Sequence, residues 1–117
     1  MRPALQVHSA LSRGAFAVAV LVSLAVLFAP ARDVPYAPAG VDKLVHASLF
    51  AALVLTGRWA GVARVVLAPL LVLYAAGSEV LQGLIGRDAA VGDWVADVVG
   101  LVLGLLVWQL AARRRVR

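Results

Sequence analysis

A single histidine and a set of carboxylates are spaced so that they could do acid–base chemistry together. His46 stands four residues after Asp42 and three after Lys43. Glu79 precedes Gln82 by three, Arg87 follows, and Asp93 precedes Asp97 by four. On helices, positions three or four apart share a face. Asp42 and His46 are therefore expected on one face, Glu79 and Gln82 on a second, and Asp93 and Asp97 on a third. His46 with Glu79 or Asp97 forms the candidate catalytic group, an imidazole and a carboxylate exchanging a proton. Asp42, Lys43, Gln82, Arg87 and Asp93 are the candidate ligand-binding residues. Lys43 and Arg87 are suited to hold an anionic headgroup such as a phosphate or pyrophosphate.

The elements that must position these groups are unusually apolar. Of 117 residues, 63% are hydrophobic and 15% charged, where a soluble domain runs about 45–50% apolar and roughly 25% charged. Mean hydropathy is +0.95. A soluble fold this small could not bury so much apolar surface. Lipid is the expected solvent, and one transmembrane domain over residues 1–117 is the expected organisation. Apolar runs without period-2 alternation exclude a transmembrane barrel, and unsatisfied backbone cannot face lipid. The fold class expected is an all-α membrane protein, a four-helix transmembrane bundle with helices at about 14–30, 43–60, 62–85 and 93–112. Residues 32–40 hold two prolines and a glycine and read as a loop, Gly61 centres a tight turn, and Pro69 should kink the third helix.

Charge sets the orientation. With the amino terminus inside, Arg2, Arg13, Arg58, Arg64 and the four arginines of the tail are cytoplasmic, eight of the eleven basic residues. All six acids fall on the outer half. This is the positive-inside pattern, with both termini cytoplasmic in the inner membrane. The net charge of +5 is thus a topology signal: the tail is expected on anionic lipid and no nucleic acid is expected. Residues 1–31 also resemble a signal peptide ending in Ala29-Pro30-Ala31, whose removal would leave three helices. The apolar run is longer than an h-region of about 7–15 residues, so the first helix is read as retained. Trp59, Trp94 and Trp108 read as interface anchors.

In this arrangement His46, Glu79, Gln82 and Asp97 all lie about one to two helical turns, roughly 5–9 Å, below the outer boundary. Charged groups in a bilayer cost about 2.5–3.5 kcal/mol each at its centre and usually face partners or a functional path. The plainer alternative is a structural or partner-binding module in which the cluster is polar glue between helices. Gly100-x-x-x-Gly104 then supplies close helix packing within the bundle or in a homo-oligomer. A metal on His46, Glu79 and Asp97 is chemically feasible. With no cysteine and only His8 besides His46, however, no metal and no cofactor are expected. A transport path is disfavoured, because the inner half offers only Gln109.

The ordered set Asp42-Lys43-x-x-His46, Phe50, Glu79-x-x-Gln82, Arg87, Asp93, Gly100 and Gly104 resembles the VanZ-like family of small bacterial membrane proteins over residues 41–104. The chain departs from that pattern at Asp97, where the family usually has asparagine, and near Ala90, where a serine or threonine is common. The resemblance implies a role at the bacterial cell envelope, the family's namesake being linked to resistance to the glycopeptide teicoplanin. The residues themselves, through Lys43 and Arg87, suggest an anionic envelope lipid or lipid-linked precursor as the ligand.

Overall fold

The computed structural model describes residues 9–28, 40–84 and 91–116. They form four helices: α1 (Ala10–Phe28), α2 (Val41–Trp59), α3 (Arg64–Leu84) and α4 (Val91–Val116). The loop at 32–39, Arg87, Ala90, His8 and Ala29-Pro30-Ala31 lie outside the described residues.

Local chemistry explains where the helices begin and end. The Ser9 hydroxyl accepts a hydrogen bond from the Ser12 N–H at 3.0 Å, an N-cap that starts α1 four residues earlier than its apolar run suggests. Gly40, with φ 93°, turns the chain into α2, a left-handed conformation that costs glycine little. Between α2 and α3, the Gly61 N–H donates to Arg58 O and the Val62 N–H to Gly57 O, both at 3.0 Å. With Gly61 at φ 96°, this is a Schellman motif. It uses residues 60–63, so α3 begins at Arg64 rather than at 62. Pro69 lies inside α3, which runs unbroken across it. α4 continues beyond residue 112, through Arg113, Arg114 and Arg115 to Val116.

Helix directions follow from which residues meet. Along α2 and α4, His46 meets Asp97, Ala47 faces Gly100 and Ala51 faces Gly104, so these helices run parallel. Along α1 and α3, Ser23 meets Tyr74 and Leu27 meets Gln82, again parallel. Gly57 of α2 faces Phe16 of α1 and Leu67 of α3, which makes those neighbours antiparallel to α2. The bundle is therefore up-down-up-down, and its principal extents are 47 × 25 × 23 Å.

The α2–α4 contact is the most extensive in the bundle, and glycine makes it so. A Cβ at Gly100 would collide with the Ala47 carbonyl, and one at Gly104 would lie 3.1 Å from Ala51 O and from Val54 Cβ. The small-residue stripe is thus occupied within the chain, by α2. Leu27, Phe50, Leu53, Val54, Leu67, Leu71, Ala75 and Leu101 form the apolar core. Outside it, leucines and valines are exposed on every helix, Leu21, Leu44, Leu73 and Leu106 among them. A soluble protein rarely leaves so much apolar surface bare. Three helical segments are long and apolar enough to cross a membrane: Ala10–Phe28, Arg64–Leu84 and Gly92–Arg113. This is the surface and helix length of a membrane protein.

Gly77 has nothing within 4 Å of where a Cβ would stand, whereas Gly100 meets backbone. Gly77→Ala is expected to raise stability by about 0.5–1 kcal/mol, and Gly100→Ala to lower it by about 1–3 kcal/mol through overpacking. Melting of the purified variants in detergent reads the difference; shifts of the same sign would contradict this packing.

Candidate functional site

The end of the bundle where α2 and α4 begin and α3 finishes gathers most of the polar candidates. Parallel α2 and α4 bring their first turns together. Their shared register then sets His46 opposite Asp97 one turn further in.

His46 and Asp97 are 1% and 0% exposed, and His46 Nδ1 lies 2.7 Å from Asp97 Oδ1. A carboxylate can only accept, so the Nδ1–H donates and the imidazole is held with Nε2 as its free acceptor. Nε2 points toward the bundle end. It lies 3.8 Å from Asp42 Oδ2 and 4.0 Å from Asp93 Oδ2. Asp42 comes from the same face of α2 one turn earlier, and its side chain is 54% exposed. Asp93, at the start of α4, is buried, with Lys43 Nζ 3.5 Å from its Oδ1. The Lys43 stem lies over Gly92, 2.9 Å from where a Cβ would be, so a side chain there would displace it. The first turns of α2 and α4 hold Asp42 and Asp93, where the positive ends of the helix dipoles favour carboxylates.

Glu79 approaches from α3. It is half-buried, and a carboxylate oxygen lies within 4.8 Å of ligand atoms on His46 and Asp97. Gln82 is fully buried but turns elsewhere: its Nε2–H donates to Leu27 O at 2.9 Å. It thereby ties the last turn of α1 to α3. The structure thus joins Asp42, Lys43, His46, Glu79, Asp93 and Asp97, and assigns Gln82 to tying α3 to α1. Gly100 and Gly104 sit directly below Asp97 on α4 and let it approach His46.

Two residues beside the site escaped sequence reasoning as a pair. Ser23 Oγ and Tyr74 Oη are 2.9 Å apart. The Ser23 hydroxyl donates to Val20 O at 2.8 Å, so Tyr74 is the donor. The Tyr74 ring centroid lies 5.7 Å from that of Phe50 and 6.5 Å from that of Phe28. The one available signal was a lone serine within the apolar run of α1. At the opposite end, Arg58 stacks on Trp108 at 5.8 Å, its Nη1 donates to Val62 O at 2.9 Å, and Arg64 Nη1 donates to Gln109 Oε1 at 3.4 Å.

A buried, hydrogen-bonded carboxylate loses heavily when its partner is removed, and little when both groups are replaced by apolar ones. His46→Leu is expected to cost about 3–5 kcal/mol by leaving the Asp97 carboxylate uncompensated. His46→Leu/Asp97→Leu is expected to recover to within about 1 kcal/mol of the parent. Denaturant unfolding of the parent, His46→Leu, Asp97→Leu and the double variant measures the coupling. A double variant as unstable as the two singles summed would show that the contact carries none.

No protein-family model matches the chain, and neither a curated protein nor a solved structure is significantly similar to it.

Proposed function

We propose that the chain is a four-span protein of the bacterial inner membrane, VanZ-like, that handles an anionic envelope lipid at a polar site facing outward. In this reading α2 is the fourth span. It has 19 residues, as α1 does, and packs against α1, α3 and α4. A helix sheltered on three sides needs less apolar surface of its own. Its charged residues, Asp42, Lys43 and Arg58, lie in its first and last turns. Arg58 and Arg64 sit at the end opposite Asp42 and Asp93, which supports cytoplasmic termini by the positive-inside rule.

The observation that carries the functional reading is the buried Asp97–His46 pair with Nε2 directed to the open end. Asp97 orients the imidazole and stabilises its charged form. Nε2 then accepts or returns a proton at a group presented from outside, and the exposed Lys43 ammonium supplies charge for an anionic headgroup. An apolar groove of about 330 Å³, lined by Val41, Leu44, Val45, Ser48, Leu49 and Ala52, runs along α2 from the same end and suits a lipid tail. A link to teicoplanin resistance would follow from action on such a lipid. The rival reading, a structural module held by polar glue, draws on Gln82 and the His46–Asp97 contact as ties between helices.

Orientation is tested with cysteines, since the chain has none of its own. Val41→Cys is expected to react with an impermeant maleimide in intact spheroplasts, and Ala63→Cys only after permeabilisation. Equal labelling of both would remove α2 as a span. For function, lipid diphosphates added to the purified protein are expected to raise its melting temperature by several degrees more than a zwitterionic lipid does. Lys43→Ala and His46→Gln are expected to lose that increment. If anionic and zwitterionic lipids act alike, or if His46→Gln merely fails to fold while Lys43→Ala responds as the parent does, the structural reading stands instead.

A further inference from the structure

We propose that His46 Nε2, Asp42 and Asp93 hold a divalent transition-metal ion, zinc or manganese, at the outer end of the bundle, with Asp97 orienting the imidazole. The inference rests on the lipid-handling reading of the same site and names what would let a carboxylate-rich site take an anion. Four carboxylates, on Asp42, Glu79, Asp93 and Asp97, converge on His46 with Lys43 as the accompanying ammonium. An anionic headgroup entering that field is repelled unless further positive charge is bound.

Geometry chooses the ligand atoms. The pair Nδ1 and Asp97 Oδ1, at 2.7 Å, is a hydrogen bond. Two ligands of one ion with bonds of about 2.0–2.2 Å stand roughly 3 Å or more apart, so Asp97 is not a co-ligand of Nδ1. On the other side of the ring the spacing is different. Nε2 lies 3.8 Å from Asp42 Oδ2 and 4.0 Å from Asp93 Oδ2, and ligand atoms of the three residues all fall within 4.8 Å of one another. With those two separations and a third no longer than 4.8 Å, the three atoms share a centre roughly 2.1–2.5 Å from each, near nitrogen and oxygen bond lengths for such ions.

A second observation points the same way. The His46 side chain is 2% exposed, yet its Nε2 makes no hydrogen bond among the described residues and has two carboxylates just beyond hydrogen-bond reach, which leaves it open to a ligand from outside. The surroundings also match a metal site's outer layer, in which ligating histidines give their other N–H to a carboxylate and ligating carboxylates are themselves held. Asp97 holds the Nδ1–H, and Lys43 holds Asp93 through Oδ1, leaving Oδ2 for the ion. Asp42 is exposed and provides the entry path. One imidazole with two carboxylates is a borderline donor set, suited to zinc or manganese.

The test uses the full-length protein in detergent, stripped with EDTA and titrated with Zn²⁺ and with Mn²⁺ by calorimetry. One equivalent is expected to bind with a micromolar or tighter Kd, and bound Mn²⁺ is expected to show ¹⁴N hyperfine coupling from an imidazole. Asp42→Asn, at an exposed position that should not disturb folding, is expected to weaken binding at least tenfold. Asp97→Asn is expected to weaken it roughly 10–100-fold through the imidazole. His8→Ala is expected to change nothing. No saturable binding up to millimolar metal overturns the proposal, as does binding that survives Asp42→Asn or is lost in His8→Ala. The lipid reading fails separately: metal bound with no anionic-lipid shift in its presence overturns that reading and keeps the metal. A lipid shift that persists in EDTA, with no metal bound, does the reverse.

Discussion

Asp97 is a carboxylate with no exposure to solvent, placed on a helix whose other faces suit hydrocarbon. In such surroundings an unpaired charge costs far more than any single apolar contact returns. The His46 imidazole at 2.7 Å therefore sets how α2 and α4 must lie against each other. Their register, their parallel direction and the meeting of their first turns are consistent with that one hydrogen bond. Asp42, Lys43 and Asp93 come together because each lies a turn or less from a partner in it.

The contact also depends on what is missing below it. Gly100 and Gly104 let the α4 backbone approach Ala47 and Ala51 of α2, a closeness that any larger side chain would prevent. Without a hydrophobic effect to press helices together in lipid, close packing and interhelical hydrogen bonds carry the association. The glycines and the His46–Asp97 pair are two halves of one interface, the first supplying proximity and the second supplying register. Ser23 with Tyr74, and Gln82 with Leu27 O, play the corresponding part between α1 and α3.

The polar groups divide between the two ends in a way that matches their work. Arg58, Arg64, Gln109 and Trp108 form short-range contacts that finish helices at one end. At the other end the groups converge from three helices on one imidazole, with more carboxylates than their own hydrogen bonding requires. At the Arg58 end, by contrast, each arginine is met by a neutral group, a carbonyl, an indole ring or an amide.

Much was legible in the sequence because it rests on composition and short spacing. The apolar runs, the turn at Gly61 and the Asp42/His46 and Asp93/Asp97 faces are all local, and a helix carries local spacing into space unchanged. Helix ends were less legible, since α1 starts at a serine cap and α4 continues through arginines, neither of which hydropathy registers. Tertiary structure alone decided which faces meet. Gln82 shares a face and a depth with Glu79, yet only packing shows that it serves the carbonyl of Leu27, because α1 is remote in sequence and marks the place with no polar residue. Packing alone likewise makes Asp97 a partner of Nδ1 and leaves Nε2 to Asp42 and Asp93. Sequence spacing specifies residues along one helix, while the rotation of one helix against another is set by the glycines and side chains of both.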